Sequence, residues 1–311
     1  MCGLYGFVNY SGNKIKNLSD LTNALAEQSA VRGTDATGIA YCGNTGVKVV
    51  KESKPAYKIE LKHSDEIRSL IGHTRHSTQG SEKRNYNNHP FWGKCKNTKF
   101  ALAHNGVLSN DTELRKKFSL PKTKIETDSY IAVQLIESRK YLDFDSIKYM
   151  AERTEGSFSY SILDDKNNVW LVKGDSPLSI LHFPKLKIYV YASTDEILYK
   201  ALIEYRLLFD VLKKGEFETV DISDGEILKI RADGKTERNK FEYSCYFGMN
   251  WWDYGTYSYN PKYANNDYIN DLKSIAVHFG YTPDDIDVLV SNGFTPEEIE
   301  DYIYCECGGE I

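Results

Sequence analysis

A chain of 311 residues, 41% hydrophobic and 13% aromatic, is long enough to bury a substantial core, as one large domain or as one large and one small. A net charge of −5 gives no global case for nucleic-acid binding, no apolar run reaches the roughly 20 residues of a membrane span, and no basic-then-apolar segment marks a signal peptide. The six cysteines (Cys2, Cys42, Cys95, Cys245, Cys305 and Cys307) are irregularly spaced in a chain too long to need a disulfide framework, which points to a reducing, cytoplasmic setting.

In chain order, Gly3 to Tyr10 reads as a strand, and Ser19 as the N-cap of a helix with Leu21 and Leu25 on one face. Gly38 to Tyr41 and Val47 to Val50 read as strands, and Ile67 to Thr74 leads into a polar loop. Phe100 to Leu108 holds Asn105-Gly106 between apolar residues, a hairpin signal. Thr127 to Ser138 reads as a helix, and Ser157 to Leu163 with Val169 to Lys173 as a hairpin. Ile188 to Ala192 reads as a strand, Asp195 to Phe209 as a helix, and Glu216 to Ile222 with Glu226 to Ile230 as a last strand pair around Asp224-Gly225. Frequent short strand-to-strand turns favour an α+β fold of layered antiparallel sheets over a parallel, doubly wound sheet.

The end of the chain differs from its body. From Ala264 to Ile311 there are eleven acidic residues and one basic, Lys273, which leaves the body positive and marks a boundary. Thr282-Pro283-Asp284-Asp285-Ile286 recurs thirteen residues later as Thr295-Pro296-Glu297-Glu298-Ile299, each a cap, a first-position proline and acids at a helix start. Gly280 and Gly293 sit where helices stop, which suggests a small helical unit able to dock a partner or to pack on the body. Before it, Phe241 to Tyr263 is aromatic-rich and reads as a connector. The expected division is 2–232, 233–263 and 264–311. Cys305 and Cys307 lack a four-ligand zinc pattern, and no metal or cofactor is expected.

The candidates for chemistry begin at Cys2, which becomes residue one, with a free α-amine, if Met1 is removed. Four polar clusters accompany it: VRGTDATGIA at Val31 to Ala40, GHTRHSTQG at Gly72 to Gly80, AHNGVLSN at Ala103 to Asn110 and ETDSYIA at Glu126 to Ala132. Each has a bland explanation. Arg32-Gly33 and Asn105-Gly106 can be turns, Arg75 a solvated arginine, Asp128 a helix cap and Cys2 a small hydrophobe. In this order and spacing they resemble the class II, N-terminal-nucleophile glutamine amidotransferases, whose glutaminase domain occurs in glucosamine-6-phosphate synthase and amidophosphoribosyltransferase. The resemblance covers roughly residues 2 to 232.

The resemblance implies a four-layer αββα sandwich and hydrolysis of glutamine to glutamate and ammonia. Cys2 would attack the carboxamide with its own α-amine as base, the ordinary pKa of such an amine being about 8. Asn105 and Gly106 would hold the oxyanion, Arg75 the α-carboxylate and Asp128 the α-ammonium. Arg32 would order the N-terminus, Thr78 and Gly80 lie in the loop that closes over glutamine, and His89 falls where the family supports that loop. His76 departs from the family's Trp or Tyr, which helps to gate ammonia. No acceptor-aminating half is legible: there is no Ser-Gly-Gly-x-Asp-Ser loop and no Gly-rich Lys-Ser/Thr phosphate loop. The ammonia acceptor would then be a separate enzyme, docked through the C-terminal segment, or a small molecule. An amidohydrolase acting on another γ-glutamyl compound, or a non-catalytic binding protein on the same fold, are the alternatives.

Overall fold

A computed structural model of the chain describes residues 2–12, 14–43, 46–96, 98–243 and 281–291, with Ile269, Leu272, Lys273, Ala276 and Ile299 as single positions. It divides into two compact units, Met1–Tyr246 and Phe247–Ile311.

The first unit is built on two antiparallel sheets. One has seven strands: β1 (Gly3–Asn9), β2 (Ala36–Gly43), β3 (Gly46–Glu52), β4 (Ser69–Arg75), β9 (Ser179–Phe183), β10 (Ile188–Ala192) and β11 (Glu218–Thr219), in the order β11-β9-β10-β1-β4-β2-β3. The other has six: β5 (Phe91–Lys94), β6 (Lys99–Leu108), β7 (Gly156–Asp164), β8 (Val169–Lys173), β12 (Glu226–Ile230) and β13 (Thr236–Lys240), in the order β13-β12-β8-β7-β6-β5. Helices α1 (Leu18–Ser29), α5 (Asp195–Glu204) and α6 (Arg206–Lys213) follow the first sheet's chain path, and α2 (Asp111–Lys117), α3 (Tyr130–Ser138) and α4 (Phe144–Ala151) the second's.

Strand alternation makes the layers. In β1, Tyr5 and Phe7 turn outward into a cluster with Leu21 and Leu25 of α1 and Leu198 of α5, while Leu4 and Val8 turn inward to meet the second sheet. In β6, Phe100 and Leu102 face Ile131 and Leu135 of α3, while Ala101 and Ala103 face the first sheet. Three apolar layers thus separate four layers of structure, the expected αββα sandwich, with all sheet pairings antiparallel. Small inward residues such as Ala101 and Ala103 let the sheets approach closely.

Several elements differ from expectation. Asn105-Gly106 is no hairpin turn; β6 runs through it, with Asn105 opposite Ser159 and Gly106 opposite Phe158. The helix expected over Asp195 to Phe209 breaks at Tyr205, whose φ of −92° and ψ of 90° are extended, and whose hydroxyl donates to the Lys16 carbonyl. Ser19 is not the cap of α1; the helix starts at Leu18, whose N–H donates to Asp65 Oδ1, and Ser19 Oγ instead donates to the His63 carbonyl. Glu226–Ile230 pairs with Thr236–Lys240 and Val169–Lys173, not with the Glu216 to Ile222 segment, whose two-residue strand joins the other sheet through β9. The second sheet therefore continues past residue 232.

In the second unit, α7 (Pro283–Ser291) is described. The Thr282 N–H and hydroxyl both donate to Asp285 Oδ2, and the Asp285 N–H returns to Thr282 Oγ1, a reciprocal cap at the position the sequence marks. Leu272, Ala276, Ile286 and Ile299 are buried together. The aromatic stretch beyond Tyr243, the second Thr-Pro-acid repeat, Gly280, Gly293, Cys305 and Cys307 lie outside the described residues.

Candidate active site

The site follows from strand register. β1 and β4 are antiparallel with Gly3 opposite Thr74, so the start of β1 lies beside the end of β4, and Cys2 beside Arg75. Alternation puts Cys2 and Arg75 on the same inward face as Leu4 and Ile71. On the facing sheet, Asn105 is inward by the same period from Ala101 and Ala103.

Cys2 is half-buried, with Sγ 3.4 Å from the His76 N–H nitrogen and 3.5 Å from the His76 carbonyl oxygen. Burial pushes its thiol up, opposed by the His76 peptide, the Met1 α-ammonium and Arg75, while Asp128 adds to the rise. Arg32 Nε donates to the Cys2 carbonyl at 2.9 Å and so holds the residue that precedes β1. His76 itself points its side chain outward and meets Cys2 through its peptide.

Asn105 is 1% exposed, and neither atom of its amide has a partner among the described residues. Gly106 has φ +136°, and a Cβ there would lie 2.0 Å from the Ser157 carbonyl oxygen. Only glycine fits, because the strand is bent into a conformation L side chains avoid and is pressed against β7. Asp128 caps no helix. Its Oδ2 accepts the Leu108 N–H at 2.7 Å and its Oδ1 accepts from Ser129 Oγ, which also meets His104 Nδ1 at 2.8 Å. The carboxylate is thereby fixed to the strand that carries Asn105 and Gly106.

Arg75 is 2% exposed and holds the loop that follows it. Nη2 donates to the carbonyls of Gln79 and Gly80 at 2.8 and 2.7 Å, and Nη1 to Asn88 Oδ1 at 2.7 Å. Among the described residues, Nε and one Nη1 hydrogen have no acceptor. Gly80 takes φ +78° at this bend, and Thr78 is exposed on the same loop. Neither ring nitrogen of His89 has a partner among the described residues; the ring packs, tilted, against His73 at 4.1 Å and Phe91 at 4.3 Å between centroids. The bonds that hold the loop come from its neighbours. Asn88 Nδ2 donates to Ser53 Oγ, the Glu82 carbonyl and Asn85 Oδ1, and Asn87 bonds Ser81 and Glu126. Lys51 Nζ donates to the Asn88 and Pro90 carbonyls, and burial beside Arg75 pulls its pKa down to about 8. The sequence offered no signal for Asn87 or Asn88 beyond their place next to His89.

Asn88→Ala leaves the buried Arg75 Nη1 without its acceptor and cuts the loop's ties. A cost of about 1–3 kcal/mol in unfolding free energy is expected. Urea titration checks it; an unchanged unfolding free energy would show that the Asn88 bond to Arg75 does not hold the loop.

Three imidazoles lie buried behind the site. His73 Nε2 donates to the His104 carbonyl at 2.9 Å, and burial pushes His73 down to about 3, with His89 and His104 also lowered by burial. The unfolded chain binds these protons near pH 6.5, whereas the folded chain does not. The contribution of His73 to stability is thus complete above about pH 6.5 and is lost at about 1.4 kcal/mol per pH unit as pH falls toward 3, with His89 and His104 acting in the same direction. The urea midpoint is expected to fall between about pH 7.5 and pH 5; a constant midpoint contradicts the burial of neutral histidines.

Comparison with known proteins bears on the same segments. Residues 1–138 match the family model of the class-II glutamine amidotransferases. Glutamine-fructose-6-phosphate aminotransferase (isomerizing) of Staphylococcus epidermidis is 34% identical over 190 residues, 58% of this chain and 30% of that protein. The Staphylococcus aureus protein of the same name is 29% identical over 251 residues, 78% of this chain and 39% of that protein. Among solved structures, the glutamine phosphoribosylpyrophosphate amidotransferase of B. subtilis, complexed with ADP and GMP, superposes with a TM-score of 0.59 at 21% identity, covering 78% of this chain and 50% of that one. That likeness is one of fold. The chain spans less than half the length of the curated relatives it matches.

Proposed function

From the premise that the chain carries a class II glutamine amidotransferase domain, matched over residues 1–138, we propose that it hydrolyses glutamine to glutamate and ammonia with Cys2 as N-terminal nucleophile. The observation that carries this reading is the buried Asn105 amide with no partner of its own, on the sheet face opposite Cys2. A buried unpaired amide costs about 1–3 kcal/mol and is kept where a ligand completes it.

The reaction runs as follows. Arg75 holds the α-carboxylate of glutamine and Asp128 its α-ammonium, which places the carboxamide at Cys2. The free α-amine of Cys2 takes the thiol proton, and sulfur attacks the carboxamide carbon. The Asn105 N–H₂ and the Gly106 N–H receive the oxyanion. Collapse expels ammonia, protonated from the α-ammonium, and leaves a γ-glutamyl thioester that water cleaves to glutamate. A free Cys2 thiol requires a reducing, cytoplasmic setting, and among the described residues no helix is long and apolar enough to cross a membrane. The ammonia goes to an acceptor that no recognisable domain of this chain binds, with the acidic C-terminal segment as the docking element for an acceptor enzyme.

A substrate panel tests the head-group reading. Glutamine is expected to turn over and asparagine, one methylene shorter with the same head, to be at least about 10²-fold slower because its carboxamide falls short of Sγ. Faster turnover of γ-glutamyl peptides than of glutamine would move the assignment to an amidohydrolase of that class.

A further inference from the structure

The Arg32-Gly33-Thr34-Asp35 segment closes around one peptide group. That group joins Arg75 to His76, and its N–H faces Cys2 Sγ at 3.4 Å. Its carbonyl oxygen accepts the Asp35 N–H at 2.9 Å. A Cβ on Gly33 would lie 2.4 Å from the Arg75 carbonyl carbon, 2.6 Å from its oxygen and 2.5 Å from the His76 nitrogen, so the peptide can pass only over a glycine. One residue on, Asp35 Oδ2 accepts the Ser77 N–H at 2.7 Å. Asp35 thus brackets the chain on both sides of His76, and Arg32 holds the Cys2 carbonyl at 2.9 Å.

We propose that Asp35 is a positioning residue for the nucleophile: its carboxylate, on the Ser77 N–H, holds the Arg75–His76 peptide so that the His76 N–H donates to the Cys2 thiolate. The inference rests on Cys2 being the reactive thiol of the reaction above. A neutral thiol gives its hydrogen to the His76 carbonyl, 3.5 Å away, and after deprotonation the His76 N–H takes over as donor to sulfur. Donation by the Asp35 N–H to the Arg75 oxygen strengthens the N–H at the other end of the same amide. The other charges that face the thiol are Arg75 at the end of β4, Asp128 before α3 and the α-ammonium of the chain's start. None of them touches the Asp35 carboxylate bond to Ser77.

The test is alkylation of Cys2 by iodoacetamide across pH, read on the N-terminal peptide by mass spectrometry so that the other cysteines do not intrude. It needs no glutamine turnover, so its outcome is separate from that of the proposed reaction. Asp35→Ala is expected to raise the pH midpoint of alkylation and slow the reaction about tenfold near pH 7, with kcat for glutamine lowered and KM little changed. Asp35→Asn keeps an acceptor for the Ser77 N–H and is expected to stay near the parent. A folded Asp35→Ala protein with the parent's midpoint overturns the proposal, as does an equal rise in Asp35→Asn, which would assign the effect to charge alone. Gly33→Ala, which displaces the same peptide with Asp35 intact, is the second variant if Asp35→Ala does not fold; a raised midpoint supports the proposal and an unchanged one overturns it.

Discussion

Cys2→Ala is expected to lower glutamate release from glutamine by at least about 10⁴-fold, to the background of the assay, while glutamine still binds. The two readouts separate because different atoms serve them. Arg75 is held by Asn88 and its own loop, and Asp128 by the Leu108 N–H, so neither leans on the sulfur. Removing Sγ takes away the group that forms the thioester in the proposed reaction and leaves the His76 N–H without the sulfur. Calorimetric titration of the variant with glutamine is expected to give a Kd within a few-fold of the parent's KM. A variant that keeps more than a few per cent of activity would place the nucleophile elsewhere. A variant that loses binding as well would mean that Cys2 organises the site.

Asn105→Ala carries the second large effect, a fall in kcat of about 10²–10³ with KM for glutamine little changed. Its effect on stability is expected to run the other way. Both amide atoms of Asn105 are buried without a partner, so the folded protein bears their desolvation cost and gains no bond. Truncation to alanine removes that cost and leaves a small void between the sheets. The unfolding free energy is therefore expected to hold or to rise, by up to about 1–2 kcal/mol. A gain or no change in stability together with a crippled kcat marks a residue kept for function at the expense of the fold. If stability and activity fell together by several kcal/mol and several-fold, Asn105 would be a structural residue whose partner is supplied by the fold. The same geometry bars substitution at Gly106, where a Cβ meets the Ser157 carbonyl at 2.0 Å.

The strands were legible where a short apolar run, buried on both faces, is continuous. Gly3–Asn9 and Ile188–Ala192 stand within a residue or so of their expected ends because one face must enter the helical layer and the other the opposing sheet. The errors have physical causes that local sequence does not carry. Asn105-Gly106 has turn chemistry, but a nine-residue register with β7, from Phe100 to Leu108, keeps it in a strand. Ser19 has cap chemistry, but Asp65, far along the chain, supplies the acceptor one residue earlier. Asp195 to Phe209 has an unbroken helical pattern, but Tyr205 is drawn out to reach the Lys16 carbonyl. In each case a long-range partner outweighs a local preference.

The candidate site divides in the same way. Cys2, Arg32, Arg75, Asn105, Gly106 and Asp128 could be picked out because the motifs that carry them, in this order, resemble those of a known family. Their supports could not. Asp35 stands inside a quoted motif without a role until its carboxylate is seen on the Ser77 N–H. Asn88 is an ordinary asparagine until its side chain is seen between Arg75, Ser53 and Glu82. Positioning residues work through geometry that forms only when distant strands meet, so type and spacing alone do not single them out.

The central claim is that Cys2 acts with its own free α-amine. Glutamate formed from glutamine should be measured for two preparations of the protein, one shown by intact mass to begin at Cys2 and one carrying an N-terminal extension that cannot be removed. Glutamate release by the first and none by the second is the expected result. Equal release by both would contradict the claim, because an amine tied up in a peptide bond cannot accept the thiol proton.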